Sequence, residues 1–238
     1  MPVPREFLPS RDGFAFDNTW PPAPGLPIRT PFGVLGLGNA AAGLCGGMVF
    51  AALDYWRAGV APPVARPAPG TPLYRHIVRR LIDSWHLPVG VARYYLWMNL
   101  AGADHRPLVL GQRLTLHGLG WRTINQHWPL VRASIDAGCP AALGVVTMAS
   151  AWPGVLGRNH QVLAYGYDMS GSVITLRVYD PNSGPANAIR IRFDSAAPAG
   201  FEHNIGIRWP VRGFFVTRYS PVVPPPAAAP ASPSPPAA

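Results

Sequence analysis

An α+β domain, helices first and strands after, is the fold class this sequence predicts, and three observations predict it. Between residues 44 and 137 apolar side chains recur at three- and four-residue spacing, which is the period of a helix face. From 141 to 219 they gather instead in short β-branched and aromatic runs separated by turn-forming clusters. The chain has 238 residues, 48% of them apolar, enough for one substantial core and too few for two large ones.

Residues 1–38 are rich in Pro and Gly with a few aromatics (Phe14, Phe16, Trp20), and read as an extended segment laid across a domain surface. The domain itself is expected over 39–219. Cys45, Met48, Val49, Ala52 and Trp56 fall on one helix face, with Gly59 and Pro62 to end the helix. Thr71-Pro72 is a cap followed by proline at the first helical position, and Leu73, Ile77, Leu81 and Trp85 continue the stripe. Two further helices are expected, around Val91 to Ala101 and Ile124 to Ala137, the latter stopped by Gly138 and Pro140. Ala141 to Met148 reads as a buried strand. His160 to Tyr167 and Val173 to Tyr179 flank Asp168-Met169-Ser170-Gly171-Ser172 and read as a β-hairpin. Strands are also expected at Ala188 to Phe193, Gly206 to Trp209 and Gly213 to Tyr219. Residues 220–238 are almost wholly Pro, Ala, Ser and Val without charge, a composition expected to stay disordered.

The formal charge is +9 and all 20 basic residues are arginine. They are scattered, with Arg79-Arg80 the one adjacent pair, whereas nucleic-acid binders carry a clustered basic stripe with interleaved stacking residues. No nucleic-acid partner is therefore expected. No apolar run approaches membrane-spanning length, and the first eleven residues lack the apolar stretch of a secretory signal. A soluble chain is expected, cytoplasmic or exported by a non-classical route. Two cysteines, Cys45 and Cys139, do not make a disulfide framework, and the histidines lack metal-site spacing, so neither zinc nor any other cofactor is expected.

Chemistry enters through the hairpin. With the turn centred on Ser170, His160 lies directly opposite Asp180, on a face otherwise made of Val162, Ala164, Gly166, Ile174, Leu176 and Val178. The other face, with Gln161, Tyr165, Tyr167, Arg177 and Tyr179, reads as the more solvated one. A carboxylate accepting the imidazole N–H fixes its tautomer and raises the basicity of the second nitrogen. A register slip of two would bring Asn182 to His160 instead. Cys45 stands at a helix start, in Gly43-Leu44-Cys45-Gly46-Gly47-Met48, where free backbone N–H groups and the helix dipole favour a thiolate. The glycines would let a substrate approach the backbone. The apolar helix face below Cys45 is expected to pack on the hairpin face that ends in His160 and Asp180. The alternatives are structural: Cys45 as plain core, His160 as a strand-end cap, Asp180 in an Asx turn with Pro181 and Asn182. Cys139, between Gly138 and Pro140, has no predicted ionisable neighbour, Asp54 and Asp83 read as solvated helix positions, and Trp152-Pro153-Gly154 is placed to form a lid.

These patches, Gly-Leu-Cys-Gly-Gly-Met, then Asn159-His160-Gln161-Val162-Leu163, then Tyr179-Asp180-Pro181-Asn182, resemble the papain-like cysteine peptidase superfamily. Within it they are most similar to the bacterial group of double-glycine, bacteriocin-processing peptidases. The resemblance implies a papain-like α+β fold with the nucleophile helix packed on an antiparallel sheet. It also implies Cys45 as nucleophile, His160 as general base and acid, and Asp180 as the orienting group. Asn39, six residues before the cysteine where papain-type enzymes carry glutamine, would help the Cys45 N–H form the oxyanion hole. No transmembrane or nucleotide-binding segment accompanies these patches, and a Walker-type lysine is absent because the chain has no lysine. The implied activity is hydrolysis of a peptide, isopeptide or side-chain amide bond of a peptide or protein substrate through a thioester. An inactive binding module of the same fold, or a secreted effector acting as deamidase or acyltransferase, would carry the same residues.

Overall fold

The computed structural model of the chain describes residues 5–20, 26–30, 33–37, 44–86, 88–110 and 112–226. It is an α+β fold, with a helical N-terminal part packed on a curled antiparallel sheet. A short helix α1 (Pro9–Asp12) and a hairpin of β1 (Leu26–Thr30) and β2 (Gly33–Leu37) precede the main helices. α2 spans Cys45–Ala58 and stops at Gly59, whose φ of 69° is the left-handed conformation that glycine adopts freely. α3 (Pro72–Ser84) is capped as its sequence implies, the Thr71 side chain accepting from the Tyr74 N–H. α4 follows at Val89–Met98.

The helix expected from Ile124 is broken into α5 (Leu119–Arg122), a π-turn (Thr123–His127) and α6 (Trp128–Asp136). Pro129 has no N–H to offer the preceding turn, which accounts for the wide turn before it. Between α4 and α5 lies a minimal hairpin, β3 (Leu108–Val109) and β4 (Gln112–Arg113).

The main sheet of the described residues has six strands: β5 (Ala141–Val146), β6 (His160–Ser170), β7 (Val173–Tyr179), β8 (Arg190–Asp194), β9 (Ala197–His203) and β10 (Gly213–Val216). Their order is β10-β5-β6-β7-β8-β9, antiparallel throughout. The sheet curls until its edges nearly meet, Phe201 bridging Val211 just before β10. Inside the curl Phe193, Phe201 and Phe214 pack ring on ring, with centroids 5.5–6.1 Å apart. Val162, Ala164, Ile174, Leu176 and Val178 join them, closed by Trp128 and Val131 of α6. α2 and α3 pack on the opposite face, where Leu163, Tyr165 and Tyr179 meet Met48, Ala52, Leu53 and Trp56.

Several expectations are corrected here. Both faces of the hairpin are buried, and α2 lies on the face expected to be solvated. The sheet is sandwiched between two helical layers, so Tyr165 and Tyr179 are core. The turn falls at Gly171-Ser172, pairing Ser170 with Val173 rather than centring on Ser170. A bulge between Ala164 and Gly166 adds one residue to β6, and this turns Tyr167, not Gly166, toward Trp128. Residues 206–209 form no strand, because the Gly206 N–H is taken by the Asp180 carboxylate. The strand there is β9, whose Pro198 is tolerated because β9 is an edge.

The N-terminal segment enters the core instead of lying over it: Phe7, Phe14, Phe16 and Trp20 are buried against α2. Residues 220–226 touch the same helix, the Tyr55 hydroxyl donating to the Pro225 carbonyl at 2.8 Å and the Val222 N–H to Asp54 at 3.0 Å. Asp54, expected in solvent, is 1% exposed. Its carboxylate takes His76 Nε2 at 3.0 Å, the Arg80 guanidinium at 2.8 Å, the Tyr219 hydroxyl at 2.8 Å and the Val222 N–H at 3.0 Å. Arg80 also donates to the Ser220 carbonyl and to Asp83. The buried charges are compensated because Asp54 has four partners and Arg80 three.

Candidate active site

Cys45 is the first residue of α2, preceded by Leu44, which offers no side-chain cap. The first-turn N–H groups of such a helix have no acceptors within it and point past the thiol. The Leu44 N–H is held instead by the Asn18 carbonyl oxygen at 2.7 Å. Gly46 and Gly47 serve packing rather than substrate approach. A Cβ on Gly46 would lie 2.4 Å from Ser84 Oγ and 2.7 Å from the Gln161 amide, and one on Gly47 2.1 Å from the Ile77 carbonyl oxygen. Their bareness lets α3 and β6 close on the start of α2.

His160 opens β6, paired with Val145 of β5, and Tyr94 of α4 donates to its carbonyl at 3.1 Å. Its side chain is 4% exposed. Nε2 lies 2.7 Å from Asp180 Oδ1, which leaves Nδ1 for the thiol. Burial alone would lower the imidazole pKa. The charge of a Cys45 thiolate, the hydrogen bonds to Asp180 and Cys45, and the Asp180 charge outweigh it and raise the pKa to about 10. Tyr94, buried beside the same sulfur, is pushed well above the ordinary tyrosine range by burial first and by the Cys45 charge second.

Asp180 follows the last residue of β7 and is fully buried. Direct cross-strand pairing with His160 does not occur: the turn at Gly171-Ser172 and the bulge together slip the register by two, so that Leu163 pairs with Tyr179. The carboxylate meets the imidazole from the loop beyond the strand end instead. Oδ1 also accepts the Asn182 N–H, and Oδ2 accepts the Ser183 hydroxyl and the Gly206 N–H. Burial pushes this carboxyl up, but the His160 hydrogen bond and charge, then the Gly206 and Asn182 N–H groups, hold it below the usual carboxylate range. It is an acceptor saturated by four donors and holds the ring still. Asn182 does not replace it: its amide accepts from Asn18 Nδ2 and donates to the Gly206 carbonyl.

Asn18 went unrecognised in the sequence, where it is one polar residue in a Pro- and Gly-rich stretch. Its carbonyl oxygen accepts from Leu44 N–H and Trp20 Nε1, and its NH₂ donates to Asn182. One side chain thus ties the cap of α2 to the Asp180 loop. Gln161, 3% exposed, sits under the thiol with Nε2 donating to Ser84 and Oε1 unpartnered. Asn39, expected to supply an oxyanion donor, lies outside the described residues.

The thiol stands between two cavities. The larger, about 550 Å³, is walled by Trp20, His160, Asn182 and Trp209; the smaller, about 50 Å³, by Leu81, Trp85, Val91 and Tyr94. Trp152 is 71% exposed and borders neither, so the expected lid is instead a wall made by Gly157 and Asn159 at the end of a 3₁₀ turn (Pro153–Arg158). Cys139 is a second free thiol, and contrary to expectation a cation stands near it, with Arg57 Nη2 at 3.8 Å. Among the described residues no cluster of three or more His, Cys, Asp or Glu could hold a metal ion, and no helix is long and apolar enough to cross a membrane. Comparison with family models, curated proteins and solved structures finds no match to this chain.

Proposed function

We propose that this chain is a papain-like, cysteine-dependent hydrolase acting on a peptide, isopeptide or side-chain amide bond. The supporting observation is the row of thiol, imidazole and saturated carboxylate at the floor of an open cleft, with the imidazole raised to about 10 by its two partners. His160 Nδ1 takes the Cys45 proton, and the thiolate attacks the substrate carbonyl carbon. The negative charge then forming on the carbonyl oxygen faces the first N–H groups of α2. His160 gives its proton to the departing amine as the C–N bond breaks, leaving a thioester. Water, deprotonated by His160, attacks the thioester; the C–S bond breaks and the acid leaves with the thiol restored. Asp180 keeps its charge throughout and fixes which nitrogen faces the sulfur.

The test is alkylation of Cys45 by iodoacetamide at pH 7, followed residue by residue by mass spectrometry. Cys45 is expected to react faster than Cys139, and His160→Ala to slow Cys45 by about 10²-fold. Equal, sluggish reaction of both thiols, unmoved by His160→Ala, would instead identify an inert binding module. Cys45→Ser should abolish turnover of an amide and ester panel while leaving the far-ultraviolet circular dichroism spectrum unchanged.

A further inference from the structure

The 550 Å³ cleft beside Cys45 is lined by two permanent cations and by no carboxylate. Arg158, at the end of the 3₁₀ turn, and Arg208, in the loop after β9, both line it. Both flank Trp209, with guanidinium carbons 5.9 and 4.6 Å from its ring centroid. Among the described residues no carboxylate forms an ion pair with either one. No Asp or Glu lines the cleft, and Asp180 is buried behind His160 with its oxygens engaged. Two like charges are thus held beside one indole with no counter-ion from the protein. Exposed arginines without an ion pair also occur elsewhere, Arg75 and Arg113 among them, but Arg158 and Arg208 are the two that line this cleft.

We infer that the cleft selects substrates carrying a carboxylate next to the scissile amide, held by Arg158 and Arg208 against Trp209. This deepens the hydrolase reading and rests on it. A planar guanidinium takes a carboxylate through two parallel N–H bonds, and stacking on the indole fixes its plane in advance. Trp20 and Ile207 supply the apolar wall for the rest of the side chain.

Two alkylating probes of similar size separate charge from reactivity: iodoacetate, which carries the carboxylate, and neutral iodoacetamide. The iodoacetate-to-iodoacetamide rate ratio at Cys45 is expected to fall about 10-fold in the Arg158→Gln/Arg208→Gln double variant at low salt, and to converge on the variant's value at 0.5 M NaCl. A ratio unchanged by the double substitution overturns the inference. Failure of the hydrolase reading shows elsewhere, as a wild-type Cys45 no more reactive to iodoacetamide than Cys139. The source of the carboxylate is read by fluorescence anisotropy with Cys45→Ser protein and three labelled Ala-rich peptides: one with a Glu and an amidated C-terminus, one with Gln and a free C-terminus, one with Gln and an amidated C-terminus. Tighter binding of either acidic peptide, lost in the Cys45→Ser/Arg158→Gln/Arg208→Gln variant, supports the assignment; equal binding of all three overturns it.

Discussion

Asp180 shows how much one buried carboxylate can determine. Its four donors hold it ionised, and its charge is part of what keeps the His160 pKa near 10. The stability consequences have opposite signs. The folded-state value of His160 is raised, so its contribution is complete below the unfolded value of about 6.5 and is lost as pH rises through about 10. The folded-state value of Asp180 is lowered, so its contribution is complete above about 4 and is lost as pH falls through the depressed value. Together they favour the fold across the neutral range. In Asp180→Asn the unfolding midpoint should become flatter between pH 6 and 10, as followed by circular dichroism melts. The alkaline limb of kcat/KM should move to lower pH, and the neutral-pH rate should fall by about 10²–10⁴-fold. An unmoved alkaline limb would mean that the carboxylate does not control the imidazole.

Among the elements, the junction of α2 with α3 is set by two hydrogen atoms. Gly47→Ala gains about 1 kcal/mol of helix propensity but places a methyl 2.1 Å from the Ile77 carbonyl oxygen, which belongs to α3 backbone and cannot rotate aside. Overpacking costs about 1–3 kcal/mol, so the net change is destabilising. Urea unfolding should show a lower midpoint, and any gain in stability would refute the close approach. The boundaries of α2 and α3 and the strands β5 to β7 were legible in the sequence because capping residues and apolar periods are local. The thiol and imidazole were legible as candidates for the same reason. The register was not, because neither the exact turn nor the bulge at Tyr165 has a composition signal, and together they slip β6 by two residues against the start of the Asp180 loop. Asn18, Gln161 and Tyr94 escaped notice because each acts through partners far away in the chain, Asn18 on residues 44 and 182 and Tyr94 on residue 160.

At the scale of the whole molecule, the helical layer and the curled sheet are joined by buried polar links as well as by apolar packing. Asp54 binds α2 to α3 and to residues 219–222. Removing the carboxylate in Asp54→Ala strands Arg80, which is 2% exposed at its side chain, and should cost about 3–5 kcal/mol. Replacing Tyr219 by Phe removes a single donor and should cost only about 1 kcal/mol. The two costs, measured by denaturant titration, test whether the network or the single bond carries the stabilisation.

The Asp54 cluster also sets a timetable. Tyr219 is made 165 residues after the aspartate it satisfies. On the ribosome, the helix that begins at the thiol therefore waits with an incompletely neutralised anion on its inner side until the sheet has been synthesised. A chain stopped before that point would leave the Cys45 helix on an unfinished scaffold, without the His160 strand and the residues that neutralise Asp54. Closure of the helical layer is thereby tied to synthesis of the segment around Tyr219.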